Sequence, residues 1–392
     1  MKTTPIFALL TLCLAFFNCK SESGQIVTVK NTLDISRSFE TVEINVSDII
    51  LSQDESIEGI GVVDVETGNV LVSQLIDEDQ DGSADALLFQ TDIDANSEKR
   101  FKLLQVEASS RPDVKEYCYS RFVPERTDDY AWENNKVAFR TFGPVAQKMK
   151  EDGVKGGTLS SGIDAWLKRV EYPIINKWYK RNDEKLGAYH YDIGEGLDNF
   201  HVGVSRGVGG LAAKIDTTYY VSKNFTKWTT IATGPIRTSF ILEYANWNAN
   251  GSPISETKHI SLDYGSNLSK FEVELSGVET IYAGLTLHEK DGNDTQNTKA
   301  GYISYWEPHG DSELGTAIVV PNGNMISSEL FDTPVKDWSN LYANIKIDEG
   351  KVVYYAGFGW KKAKEFTTEA TWNNYLETFA KKANNPLVVT LK

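Results

Sequence analysis

Six short apolar runs follow one another between about Gln25 and Gln105 (IVTV, SFETVEINV, GIGVVDVE, NVLVSQLI, ALLFQTDI, RFKLLQVE), broken by Gly, Asn or Asp. Runs this short, with alternating polarity and turn residues between them, are strands rather than helices. After a polar stretch (108–115) the same grammar resumes on a larger scale, from YYVSKNFTKWTTIATG at 219–234 to KVVYYAGFGW at 351–360. Successive strands without intervening helices pair antiparallel, which excludes an alternating β-α-β fold. The expected fold is therefore mainly β: a small N-terminal sandwich-like module over 25–107 and a large antiparallel β-sandwich over 116–392, with few helices. No repeat of fixed period is visible.

Two helices are expected. One spans Ile163–Tyr179 and is broken or kinked at Pro173. In the other, Trp372, Tyr375, Leu376, Phe379 and Ala380 form one apolar stripe at i, i+3, i+4, i+7, i+8. Thr368 or Thr371 caps its start, Asn384–Pro386 ends it, and a final strand (387–391) returns to a sheet.

The first residues read as an export signal. Met1–Lys2 is a short basic start and Pro5–Phe17 an apolar core too short to span a membrane. Residues 1–18 are the expected signal peptide, with Cys19 at its border as a lipidated first residue. Ordinary cleavage and release is the alternative. Either way the protein works outside the cytoplasm, in the periplasm or at the cell surface as an outer-membrane lipoprotein. The membrane contact is then the lipid anchor alone. With Cys13 and Cys19 so used, Cys118 has no partner for a bridge and is expected as a small buried apolar residue.

A net charge of −15 and the lack of any Lys/Arg stripe argue against nucleic acid. Nine tryptophans among 11% aromatics suit stacking on sugar rings. An anionic sugar would be repelled at long range, so a locally basic pocket is required.

The densest polar stretch is 187–210, GAYHYDIGEGLDNFHVGVSRGVGG. His190 and His201 stand eleven positions apart, with Tyr189, Tyr191, Asp192, Glu195, Asp198 and Arg206 around them. Titratable groups in glycine-rich irregular backbone suit a site; strands joined by turns, with satisfied histidines, are the plainer alternative. On an extended backbone Asp192 shares a side with His190 and can orient its imidazole. In Val123–Gly143, Arg126 or Arg140 can hold a carboxylate and Trp132 can serve as a sugar platform; Asp128, Asp129 and Glu133 equally fit an inter-domain seam tied by ion pairs. His288 and His309 are further candidates from other strands, and His259 is read as structural. Paired carboxylates, Glu195 with Asp198 or Glu133, leave a glycoside hydrolase open. A sugar-binding lipoprotein without catalysis is a third reading.

Asp77, Asp79, Asp81, Gly82 and Asp85 fit D-x-D-x-D-G-x-x-D. Alternate carboxylates and the Ser83 carbonyl can converge on one calcium ion, with glycine permitting the turn. Leu88 replaces the glutamate of an EF-hand and the flanks read as strands, so a structural Ca2+ loop in a β-hairpin is expected. No organic cofactor motif occurs: GVGG is not a dinucleotide fingerprint.

The blocks VPERTDDYAWENNKVAFRTFGP, SGIDAWLKR and YHYDIGEGLDNFHVGVSRGVGG, with DEDQDGSADALLF ahead of them, resemble a family of exported Bacteroidetes proteins. It is a domain-of-unknown-function family encoded among polysaccharide-degradation genes, and it includes the ulvan oligosaccharide dehydratase. The resemblance covers nearly the whole mature chain. It implies a galactose-mutarotase-like β-supersandwich and removal of water from a non-reducing-end uronate linked to sulfated rhamnose, giving a 4,5-unsaturated uronate. The partner it implies is an anionic, sulfated, uronate-terminated oligosaccharide. For that chemistry the chain offers His190 or His201 as base, Tyr191 or Tyr189 as acid, Asp192 as orienter and Arg206 as neutraliser of the uronate. Arg126, Arg140, Trp132, His288 and His309 are the other residues expected at the substrate.

Overall fold

The computed structural model describes residues 24–392; the expected signal peptide and Cys19 lie outside the described residues. Two antiparallel sheets make the body. The larger, nine-stranded, runs from Phe225–Ala232 through Arg237–Tyr244, Ser252–Asp263, Leu268–Ser276, Lys351–Trp360, Ser312–Val319 and Tyr302–His309 to Asn293–Asn297, with Trp247–Ala249 paired to Ser252–Asp263. The smaller orders Thr218–Tyr220, Val208–Ile215, Thr280–Thr286, Asn340–Lys346 and Met325–Phe331. Alternate residues of both, such as Leu211, Ile281, Leu341, Phe271, Ile318 and Phe358, share one buried core. Gly209 lets them approach: at φ +98° it is conformationally free, and a Cβ there would lie 2.6 Å from the Ala356 Cβ.

Among the described residues there are three α-helices: α1 (Pro144–Glu151), α2 (Ile175–Glu184) and α3 (Glu369–Ala383). α3 lies where its stripe predicts. Thr368 and Thr371 form a reciprocal capping box, and Trp372, Leu376 and Ala380 pack on Trp306, Ala317 and Val319 of the large sheet's outer face. The helix expected over Ile163–Tyr179 is instead a strand, Asp164–Lys168, followed by α2 beyond Pro173. Asp164, Trp166 and Lys168 alternate with Ala165 and Leu167, a period of two that an average apolar content conceals.

The N-terminal runs form two small sheets, Val388–Leu391 / Gln25–Lys30 / Glu98–Gln105 / Ile60–Asp64 and Arg37–Asn45 / Ala86–Ile93 / Ser73–Ile76. Val27, Val29 and Phe101 of one meet Ile44, Leu87 and Phe89 of the other. The C-terminal strand thus completes the N-terminal module. Gln74 fastens that module to the large sheet: its Oε1 accepts the Ile236 and Arg237 N–H groups (2.9 Å each) and its Nε2 donates to the Arg237 carbonyl (2.9 Å). Cys118 is buried, and burial pushes its thiol pKa up.

A further five-stranded sheet carries the polar chemistry, in the order Gly196–Leu197, Asp164–Lys168, Ala138–Thr141, Asp129–Glu133, Tyr119–Val123. Tyr130, Phe139 and Leu167 join the sandwich core on one face. α2 covers the other through Trp178 and Tyr179 against Ala131 and Trp166. No helix among the described residues is long and apolar enough to cross a membrane.

Candidate functional site

Strand alternation puts Asp129 and Glu133, Arg140, and Asp164 and Lys168 on the face that α2 covers. Buried polar groups there must find partners. At one end Lys168 Nζ donates to Glu133 Oε2 (2.8 Å) and the Asn134 carbonyl (2.7 Å). Glu133 also accepts the Ile174 and Ile175 N–H groups (2.8 Å each) at the start of α2, where the helix dipole favours an acid. This end is structural.

At the other end Arg140 stands in register with Asp164. Its Nε donates to Asp164 Oδ2 (2.7 Å) and its Nη2 to Asp198 Oδ2 (2.9 Å), while Asp129 Oδ2 lies 3.6 Å from Nη1. Three buried carboxyls around one guanidinium cannot all ionise cheaply. Burial pushes Asp129 up to about 6 and raises Asp164 and Asp198, against the pull of Arg140.

Outward of this cluster, the Tyr189 hydroxyl accepts from Arg126 Nε (3.1 Å) and Arg140 Nη1 (3.3 Å). Arg126 also donates through Nη1 to Thr127 Oγ1 (3.1 Å), and its Nη2 has no hydrogen-bond partner among the described residues. It ends a 3-10 turn, before Thr127 and Asp128 at φ 51° and 67°. Two successive left-handed residues without glycine are strained. The start of α1 holds them, Ala146 N–H on the Thr127 carbonyl (3.0 Å) and Val145 N–H on Asp128 Oδ2 (3.3 Å).

His190 Nδ1 is 2.5 Å from the Asp198 carbonyl and 3.6 Å from its Oδ2. Nδ1 must donate to that carbonyl, leaving Nε2 as the basic nitrogen on a side chain that is 51% exposed. His201, also exposed, pairs through Nε2 with Asp337 Oδ2 (3.0 Å). Arg140, His190, Arg126 and His201, in that order, oppose the effect of burial on Asp198. Arg140 and His190 thus meet at one buried carboxyl, Asp198, and the Tyr189 hydroxyl links Arg140 to Arg126.

A family model described as a domain of unknown function, DUF4861, matches residues 29–389. This chain belongs to the DUF4861 family. It is 57% identical over 395 residues to "Uncharacterized protein P7" of Formosa agariphila, covering all of both chains. Among solved structures it is similar to a protein in glycosyl hydrolase family 38 from Enterococcus faecalis (TM-score 0.51, 12% identity, 94% of this chain). An α-mannosidase from the same species scores 0.48 at 11% identity. The chain spans 47% and 46% of those two structures, about half their length. At such identity the likeness is one of fold, a mainly β sandwich.

In this DUF4861 chain several expected residues lie elsewhere. Arg206 is buried in the sandwich, its Nη1 donating to Ser161 Oγ (2.9 Å) and the Leu211 carbonyl (3.2 Å), its Nη2 to the Val204 carbonyl (3.0 Å). It cannot reach a substrate carboxylate. Trp132, at 0% exposure, donates Nε1 to Ser269 Oγ (2.9 Å) and is core, not a sugar platform. Arg140 is buried among its carboxyls and bonds outward to the Tyr189 hydroxyl. Asp192 does not orient His190: His190 ends a 3-10 turn rather than a strand, and Asp192 pairs with Arg169 (2.8 Å). Asp198 takes that place. Tyr189 is buried, whereas Tyr191 is 67% exposed, its hydroxyl without a partner among the described residues.

His288 and His309 meet each other beside Phe200, with Glu307 between them. Glu307, Asp337 and Asp164 were not singled out from the sequence. Asp337 is 136 residues from His201, and no local pattern links them. In the loop between Ser73–Ile76 and Ala86–Ile93, carboxylate oxygens of Asp77, Asp79 and Asp85 lie within 4.8 Å of one another. Asp81 is not in that cluster: its Oδ1 accepts the Ser83 N–H (2.7 Å).

Proposed function

We propose that this protein is a carbohydrate-active hydro-lyase that removes water from the non-reducing-end uronate of ulvan-type oligosaccharides. The observation that carries the reading is the assembly of Arg126, Tyr189, His190 and Asp198. Arg126 pairs its free Nη2 with the uronate carboxylate and neutralises the enediolate that forms when the neighbouring C5–H is removed. His190 Nε2 takes that proton, its ring aligned by the Asp198 carbonyl. His201, hydrogen-bonded to Asp337, gives a proton to the 4-hydroxyl, which leaves as water. The C5–H electron pair becomes the C4=C5 double bond, so the step balances without a co-reactant.

A sandwich shared with a protein of glycosyl hydrolase family 38 supports a carbohydrate substrate. Glycoside hydrolysis would need two free carboxyls flanking the sugar. Glu133 is held by Lys168 and α2, and Glu195 by Lys177, Tyr172 and Trp178. His190 and His201 each keep one ring nitrogen without a hydrogen-bond partner among the described residues. Export and lipidation at Cys19, placing the enzyme at the outer membrane, belong to the same proposal.

Incubation with uronate-terminated ulvan oligosaccharides should raise ultraviolet absorbance and lower product mass by one water, without new reducing ends. His190→Ala should lose about 10²–10⁴-fold in rate while keeping its far-ultraviolet circular dichroism. New reducing ends, or normal turnover by the folded variant, would defeat the proposal.

A further inference from the structure

One cluster lies outside the chemistry just described. His288 follows the strand Thr280–Thr286 by two residues, while Glu307 and His309 end the strand Tyr302–His309, two apart and on one side of it. The two sheets of the sandwich therefore meet here through side chains. His288 Nδ1 is 2.5 Å from Glu307 Oε1, and His309 Nδ1 is 3.8 Å from the same oxygen. One ligand atom from each of the three residues falls within 4.8 Å of the others.

Two buried atoms of the cluster lack a hydrogen-bond partner, although the His288 backbone lies close to Glu307 and the Asn199 backbone close to His309. Glu307 is 1% exposed and its Oε2 has no partner; His309 is 8% exposed and its Nε2 has none. A buried carboxylate oxygen without a donor is costly unless a cation satisfies it. The far nitrogen of His288 reaches the His201 carbonyl at 3.1 Å, the second contact that fixes a metal-binding imidazole. Phe200, its ring centroid 4.6 Å from that of His288, shields one side.

We propose that His288, Glu307 and His309 bind one Zn2+ ion, leaving a fourth position for water or a substrate oxygen. Metal bonds of about 2.0–2.2 Å place tetrahedral ligand atoms roughly 3.4 Å apart. The 2.5 and 3.8 Å separations, both measured at Glu307 Oε1, lie on either side of that edge, so the side chains must rotate to complete the site and can do so toward the unpartnered Glu307 Oε2 or His309 Nε2. Two imidazoles in three ligands favour zinc over calcium or magnesium, which take mainly oxygen. The inference concerns binding and stands apart from the elimination reading; either can fail alone.

The test uses the mature chain, stripped with chelator and titrated with ZnCl2, then desalted and assayed for metal. One zinc per chain is expected in the wild type and in Asp79→Asn, a variant of the separate acidic loop. Glu307→Gln and His309→Gln should retain less than a tenth of it. Zinc should raise the wild-type melting temperature and leave that of Glu307→Gln unmoved. Should the variants fold poorly, Co2+ in the wild type decides. Intense visible bands of a four-coordinate ion support the site, and a weak octahedral spectrum overturns it. Failure of the wild type to bind zinc, or full retention by both folded variants, also overturns it.

Discussion

Arg140 holds more acid than one guanidinium neutralises, and the surplus has a pH signature. Burial lifts the Asp129 carboxyl to about 6, above an unfolded value of about 3.9. A carboxyl whose pKa rises on folding adds stability below its unfolded value and loses it as pH climbs through the folded one. Urea unfolding should therefore show stability falling between about pH 4 and 6, and Asp129→Asn should lack that part of the fall. An identical pH profile in the folded variant would refute this. Arg126 makes a second prediction. Its replacement by Ala removes the group proposed to face the uronate and should lower kcat/KM about 10²-fold, measured by absorbance. At this scale the sequence was a good guide to residue type and a poor one to direction. His190, His201 and Arg126 are legible in the sequence as polar candidates and keep their side chains at least partly exposed, but Arg206, in the same stretch as the histidines, turns inward after Ser205 to satisfy carbonyls. Which way a side chain points depends on the local turn, and the 3-10 turn at Ala188–His190 reversed the pairing of His190 from Asp192 to Asp198.

Elements were read well where periodicity is strong and poorly where glycine or proline interrupts it. The capped stripe of α3 and the alternating runs of both sandwiches could be located from apolar spacing alone. Val208–Ile215 was hidden in a glycine-rich run, because a register shift between Val208 and Gly210 breaks its pairing with Thr280–Thr286. α1 was missed because eight residues with one buried side chain, Ala146, carry almost no apolar pattern. The loop at 77–85 sits in the hairpin that its flanks suggested, and three of its four motif carboxylates converge. As a calcium loop it would stabilise the fold by mass action, about 2.7 kcal/mol at a hundredfold excess over Kd. Calcium should raise the melting temperature of chelator-stripped protein, and Asp79→Asn with Asp85→Asn should abolish the rise. A rise that survives in the double variant places the ion elsewhere.

On the scale of the molecule, the two ends of the described chain close one small sheet. Val27 pairs with Leu391 and Lys30 with Val388, so the module built from the first strands is finished only by the last one. The Gln74 contacts, the Arg237–Glu43 ion pair (2.7 Å) and the Arg37 bond to the Asn385 carbonyl (2.6 Å) then tie module to sandwich. Such coupling predicts a single unfolding transition. The nine tryptophans all lie at or beyond position 132, so fluorescence reports the large region, whereas far-ultraviolet circular dichroism reports strands in both. Urea midpoints from the two probes should coincide in the intact chain. Ending the chain at Asn385 removes Val388–Leu391 and leaves Gln25–Lys30 an unpaired edge over the buried Val27 and Val29. The dichroism midpoint should then fall below the fluorescence midpoint, because α3 still packs on the sandwich while the module has lost its closing strand. Coincident midpoints in the truncated chain would mean that the terminal strand contributes nothing to the module, and that Gln74 and the ion pairs alone hold it in place.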